Sequence, residues 1–74
     1  MQILAEEPYF YTVLRDEKTD EHFLEVTCGT VAIFLVRIKL SKKEVARFRE
    51  NPENIRILAN RVMDSPDSFL HRKV

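Results

Sequence analysis

Val31-Ala32-Ile33-Phe34-Leu35-Val36-Arg37-Ile38-Lys39-Leu40 is the most apolar stretch of the chain, and its reading decides the fold. β-Branched and aromatic side chains dominate it, which favours a strand over a helix. It follows the only glycine, Gly29, and stops at Ser41, where a helix signature begins. Extended, such a stretch reaches about 33 Å at roughly 3.3 Å per residue. That crosses a small domain from end to end, so the remaining segments must be arranged to cover it.

Upstream, His22 to Cys28 reads as a strand, and Gly29-Thr30 suits a two-residue type II′ hairpin with glycine supplying the positive φ. Cys28 then opposes Val31, Val26 opposes Ile33, Leu24 opposes Leu35 and His22 opposes Arg37. Tyr9 to Arg15 reads as another strand, joined to His22 by the polar turn Asp16-Glu17-Lys18-Thr19-Asp20-Glu21. A four-residue turn over Glu17–Asp20 sets Arg15 against His22. Pro8 breaks the chain before Tyr9, and the weakly apolar Met1–Ala5 either extends the first strand or lies across its edge. Downstream, Ser41-Lys42-Lys43-Glu44 matches a capping box, and its helix carries Val45 and Phe48 inward. Asn51-Pro52 opens a second helix whose Ile55, Leu58, Ala59 and Val62 form one apolar stripe. Phe69 and Leu70 are expected to tuck the tail against the body. The expected fold is α+β: a three-stranded antiparallel meander followed by two short helices packed on one sheet face, a single domain over residues 1–74.

Register decides which residues share a face. One face collects Tyr9, Tyr11, Val13, Arg15, His22, Leu24, Val26, Cys28, Val31, Ile33, Leu35 and Arg37. The other collects Phe10, Thr12, Leu14, Phe23, Glu25, Thr27, Ala32, Phe34, Val36, Ile38 and Leu40. Two helices about 10 Å wide cover a sheet of this size once. The chain enters its first helix straight after Ile38 and Leu40, so the second face is expected beneath the helices. The first is then an open apolar patch, and such patches mark interaction surfaces. Arginine and tyrosine beside aliphatics have the composition of a protein–protein hot spot. Tyr9, Tyr11, Val13, Arg15, His22, Leu24, Val26, Val31, Ile33, Leu35 and Arg37 are the expected partner-binding residues, with homodimerisation as the default.

Twelve acidic residues balance twelve basic ones, which argues against an undirected nucleic-acid or membrane binder. The charge is nonetheless segregated: residues 1–26 carry a net of −5 and residues 27–74 a net of +5. The run Arg37, Lys39, Lys42, Lys43, Arg47, Arg49 supports an alternative, a nucleic-acid or anion binder. Within it, Ser41, Lys42 and Lys43 at a helix start form a weak anion-site candidate. One cysteine leaves no internal disulfide and fits a reducing compartment, so a cytoplasmic protein is expected. The start lacks the pattern of a signal peptide, and Val31–Val36 is far shorter than a membrane span.

No metal site, cofactor or catalytic centre is expected. Asp16, Glu17, Asp20 and Glu21 lack the glycine and the spacing of a calcium loop. Cys28, His22 and His71 lack the paired spacing of a zinc site. A single glycine leaves no P-loop or dinucleotide fingerprint. The plan of meander, Ser-x-x-Glu helix and short tail looks like that of many small bacterial proteins, toxin-neutralising immunity proteins among them. That likeness is one of architecture and carries no residue across. The expectation is a non-catalytic protein–protein interaction module, homodimeric or regulatory.

Overall fold

The computed structural model describes residues 1–29 and 31–74. Four strands form one antiparallel sheet in chain order: β1 (Gln2–Glu7), β2 (Tyr11–Arg15), β3 (His22–Cys28) and β4 (Phe34–Lys39). Two α-helices follow, α1 (Lys42–Glu50) and α2 (Glu53–Asp64), and then a 3-10 segment, Pro66–Arg72. The class is α+β as expected, with one strand and one helical segment more than the sequence reading foresaw.

The additional strand is β1. Pro8 does not interrupt the sheet; it starts the turn that folds β1 back onto β2. The Phe10 N–H donates to the Glu7 carbonyl oxygen at 3.0 Å, Pro8 presets one φ, and Tyr9 takes φ 64°. Positive φ at the third turn position is the type II pattern, usually filled by glycine. A β-branch-free but bulky residue there costs about 1–2 kcal/mol. A bulge between Ile3 and Ala5 then lets Leu4 and Ala5 both lean on the core.

The β2–β3 turn is the one expected. Arg15 opposes His22, the Asp16 N–H donates to the Glu21 carbonyl at 2.8 Å, and the Asp16 carboxylate accepts the Lys18 N–H at 2.9 Å. Asp20 holds φ 61° in this turn.

The β3–β4 register differs. Cys28 opposes Phe34 rather than Val31, Val26 opposes Val36, Leu24 opposes Ile38, and Glu25 opposes Arg37. Val31, Ala32 and Ile33 belong to the loop, which closes tightly on Gly29. A Cβ there would stand 2.0 Å from the Ala32 carbonyl oxygen, and Gly29 has φ 101°. Thr30, the other half of the expected two-residue turn, lies outside the described residues. Displacement by an odd number of residues turns a strand over. The observed register brings Val36 and Ile38 onto the same side as Leu24 and Val26. It also sets Arg37 against Glu25, with Nη2 and Oε2 2.7 Å apart.

One core results. Val13, Leu24, Val26, Cys28, Val36, Ile38 and Leu40 from the sheet pack with Ile55, Ala59 and Val62 of α2. Val45 and Phe48 of α1, Leu58 of α2 and Phe69 of the 3-10 segment pack against it half-buried. The helices therefore cover the face with Val13, Leu24 and Val26, the reverse of the face assignment made from the sequence. The chain enters α1 directly from the covered side at Leu40, as expected; what changed is which residues of β2 and β3 accompany it.

The helix signatures hold. The Ser41 hydroxyl accepts the Glu44 N–H at 3.2 Å, and the Glu44 carboxylate accepts the Ser41 N–H at 2.8 Å. Asn51 Oδ1 accepts the Glu53 N–H at 3.2 Å at the start of α2. The tail then returns to the sheet edge. Lys73 bridges Ile38 in antiparallel sense, the Val74 N–H donates to the Arg37 carbonyl at 3.0 Å, and Arg72 donates to the Lys39 carbonyl at 2.9 Å. Arg72 also pairs with Glu44, tying the tail to the start of α1. Among the described residues no helix is long and apolar enough to cross a membrane.

Candidate functional site

The residues expected on one contact face fall into two groups. Val13, Leu24 and Val26 are fully buried beneath the helices, and His22 is 95 % buried, so in this fold none of them meets a partner. Tyr11 is half-buried on the same side, and Arg15 Nε is held by Asp20 Oδ1 at 2.6 Å. Tyr9, Val31, Ile33 and Leu35 are exposed, and Arg37 stands on the outer face in its pair with Glu25. All the helical segments feed the same core, while on the other side of the sheet Leu14 and Phe23 are also less than a tenth exposed.

The open face is not the apolar wall that the sequence suggested. Cross-strand rows alternate along it: Ile3, Leu14, Phe23 and Lys39; then Glu6, Thr12, Glu25 and Arg37; then Thr27 and Leu35. A polar row across the middle is how antiparallel sheets commonly face water. The corrected register produces it, because Arg37 now completes the row begun by Glu6 and Glu25.

The apolar surplus is concentrated elsewhere. Val31 is wholly exposed, Ile33 is 76 % exposed, and Phe34 and Leu35 are about half exposed. They follow one another through the β3–β4 loop into the first half of β4. Tyr9, 94 % exposed, stands on the β1–β2 turn at the same end of the sheet, where the Thr27 N–H donates to the Phe10 carbonyl at 2.9 Å. Residues 28–36 contain no charged side chain in a chain that is 32 % charged. β4 is also an edge strand, and only its second half, Arg37, Ile38 and Lys39, meets the tail there, so Phe34–Val36 has no outer neighbour among the described residues. Proteins usually blunt such an edge with charge, proline or a bulge. This one carries none of those devices over its first half.

Comparison with known proteins adds nothing to this geometry. No family model, curated protein or solved structure matches the chain.

The weak anion-site candidate is built differently from its sequence reading. Of the first helical N–H groups only that of Glu44 serves the capping box, and the Glu44 carboxylate in that same turn holds both the Ser41 N–H and Arg72. Lys43 is exposed and faces no acid within ion-pair distance among the described residues. Of the basic run, Arg37 pairs with Glu25 and Lys39 with Glu21, so the run is not one continuous basic stripe. Lys42 instead faces a cleft of about 450 Å³ between α1 and the β2–β3 turn, together with Arg49 and His22. Sequence reading missed this grouping because His22 and Arg49 come together only through the packing of α1 on the sheet. The spacing of Lys42, Val45, Ala46 and Arg49 along one helix face was the available signal.

Cys28 is buried in the core with its Sγ 3.9 Å from the Val62 carbonyl oxygen, and burial pushes its thiol above the ordinary range. Among the described residues no three His, Cys, Asp or Glu side chains converge as a metal site.

Proposed function

We propose that the protein is a non-catalytic interaction module that associates with a second copy of itself along the free half of β4. The observation that carries this reading is the uncharged, outward-facing edge from the β3–β4 loop to Val36. Its geometry suits strand addition, because the chain's own tail already sits beside Ile38 as an antiparallel neighbour. A two-fold axis through the Phe34–Val36 edge brings identical apolar segments together and opposes no like charges. Burying Val31, Ile33, Phe34 and Leu35 removes on the order of 400 Å² per copy from water, about half of the ~800 Å² per partner of a standard interface. Joined sheet edges also end the exposure of unpaired backbone groups that makes such strands hazardous. A lone, buried Cys28 without a disulfide partner suits a reducing compartment, and we place the protein in the cytoplasm on that ground.

Sedimentation tests the reading over a wide range of concentration. The 8.8 kDa chain is expected to move towards twice that mass as concentration rises. Leu35→Lys and Ile33→Lys, both at exposed positions, are expected to keep the native circular dichroism spectrum and remain monomeric. A wild-type chain that stays monomeric throughout, or a dimer indifferent to both substitutions, overturns it.

A further inference from the structure

The cleft between α1 and the β2–β3 turn is independent of the β4 edge and uses other residues. Thr19, Asp20, Glu21 and His22 form one wall, Lys39 and Leu40 close one end, and Lys42, Val45, Ala46 and Arg49 form the other wall. On α1 these last four sit at i, i+3, i+4 and i+7, so Lys42 and Arg49 stand two turns apart with the small Ala46 between them. The gap is about 10 Å along the axis, which both long side chains can close.

The charges in the cleft are unevenly satisfied. Asp20 is taken by Arg15 at 2.6 Å and Glu21 by Lys39 at 2.8 Å. Their hydrogen bonds to those cations hold both carboxyls below the ordinary range, so they are ionised and already matched at neutral pH. Lys42 and Arg49 have no acid within ion-pair distance among the described residues. His22 adds a separate observation. Its ring lines the cleft, its Nδ1 lies 3.1 Å from the Asp20 carbonyl oxygen, and its Nε2 is buried with no hydrogen-bond partner. Since a carbonyl only accepts, Nδ1 carries the hydrogen and Nε2 of the neutral ring is an unmet acceptor. Buried polar atoms without partners are uncommon and call for an explanation.

We infer that this cleft binds a phosphate group, free or as a monoester, with Lys42 and Arg49 as its cationic clamp. A phosphate monoanion offers charged oxygens to the two cations and, where the cleft wall opens at His22 to uncover its enclosed Nε2, a P–O–H donor to that acceptor. A carboxylate offers only acceptors. Thr19 supplies a hydroxyl at the mouth, and Leu40 and Val45 give an apolar floor on which the organic part of a monoester can rest.

Titration with inorganic phosphate at constant ionic strength, followed by amide and imidazole NMR shifts, tests the inference. Saturable shifts confined to Thr19–His22 and Lys42–Arg49, with a Kd on the order of 1 mM, are expected. Lys42→Gln and Arg49→Gln, at exposed positions, are each expected to weaken binding at least threefold while leaving the fold intact. Phenyl phosphate binding more tightly than inorganic phosphate identifies a monoester as the preferred form; equal binding identifies the free ion. Shifts reproduced by sodium chloride, shifts located elsewhere, or affinity unchanged in both variants overturns the inference.

Discussion

Truncating Leu24 and Leu35 separately reads out the register on which the functional reading stands. From the sequence the two residues are neighbours on one face; in the structure Leu24 is fully buried and Leu35 is 55 % exposed on the other side. Leu24→Ala removes a side chain enclosed by Val13, Ile38 and the α2 stripe, so it loses transfer energy and leaves a cavity. The expected cost is about 2–5 kcal/mol. A chain of this length holds roughly 4–11 kcal/mol in total at about 0.05–0.15 kcal/mol per residue. A loss of about 3.5 kcal/mol lowers the melting temperature by roughly 14–28 °C. Leu35→Ala removes a half-exposed side chain and is expected to cost less than about 1 kcal/mol. Urea unfolding of both variants, extrapolated to low protein concentration so that association drops out, gives the comparison. Comparable losses at the two positions would refute the three-residue register displacement, and with it the assignment of the β4 edge as the apolar surplus.

The link between Glu44 and Arg72 makes stability depend on pH. Burial raises the Glu44 carboxyl, but hydrogen bonds from Arg72 and Ser41 outweigh it and leave the group below its ordinary value of 4.5. A depressed folded value means the contribution is complete above about pH 4.5 and is lost as pH falls through the lower folded value. Glu44→Gln keeps an acceptor for the capping box but loses the ion pair; it is expected to cost about 1 kcal/mol at pH 7 and almost nothing at pH 3, by urea unfolding. A penalty that stays constant across that range contradicts the assignment. Tyr9→Gly relieves a positive φ at an exposed turn and is expected to raise stability by about 1 kcal/mol; a loss measured by the same method indicates that the Tyr9 ring has a partner on the protein.

Local chemistry was legible where it acts within a few residues. The Ser41–Glu44 capping box, the Asn51 cap, the α2 stripe and the turn between Asp16 and Glu21 all depend on neighbours in sequence, and each was readable there. β1 was missed because Tyr9 occupies a position that normally announces itself with glycine, leaving Pro8 to look like a break. The β4 register was missed for a different reason. Val31-Ala32-Ile33 has strand composition, and nothing local separates it from Phe34-Leu35-Val36. The loop is longer because Val36, Ile38 and Leu40 gain more by joining Leu24 and Val26 under α2 than a shorter turn would allow. That balance belongs to the tertiary fold. The same limit hid the cleft, whose parts lie on the β2–β3 turn and on α1.

Cys28 has a practical consequence. As the one thiol in the molecule, sealed between β3 and α2, it reacts with an alkylating reagent only when those layers part. Its labelling rate in plain buffer is thus an intrinsic clock for breathing of the folded state, with no engineered probe required. Because phosphate at α1 and a companion strand on β4 load different sides of that seam, the ticking of this clock can tell which of them clamps it shut.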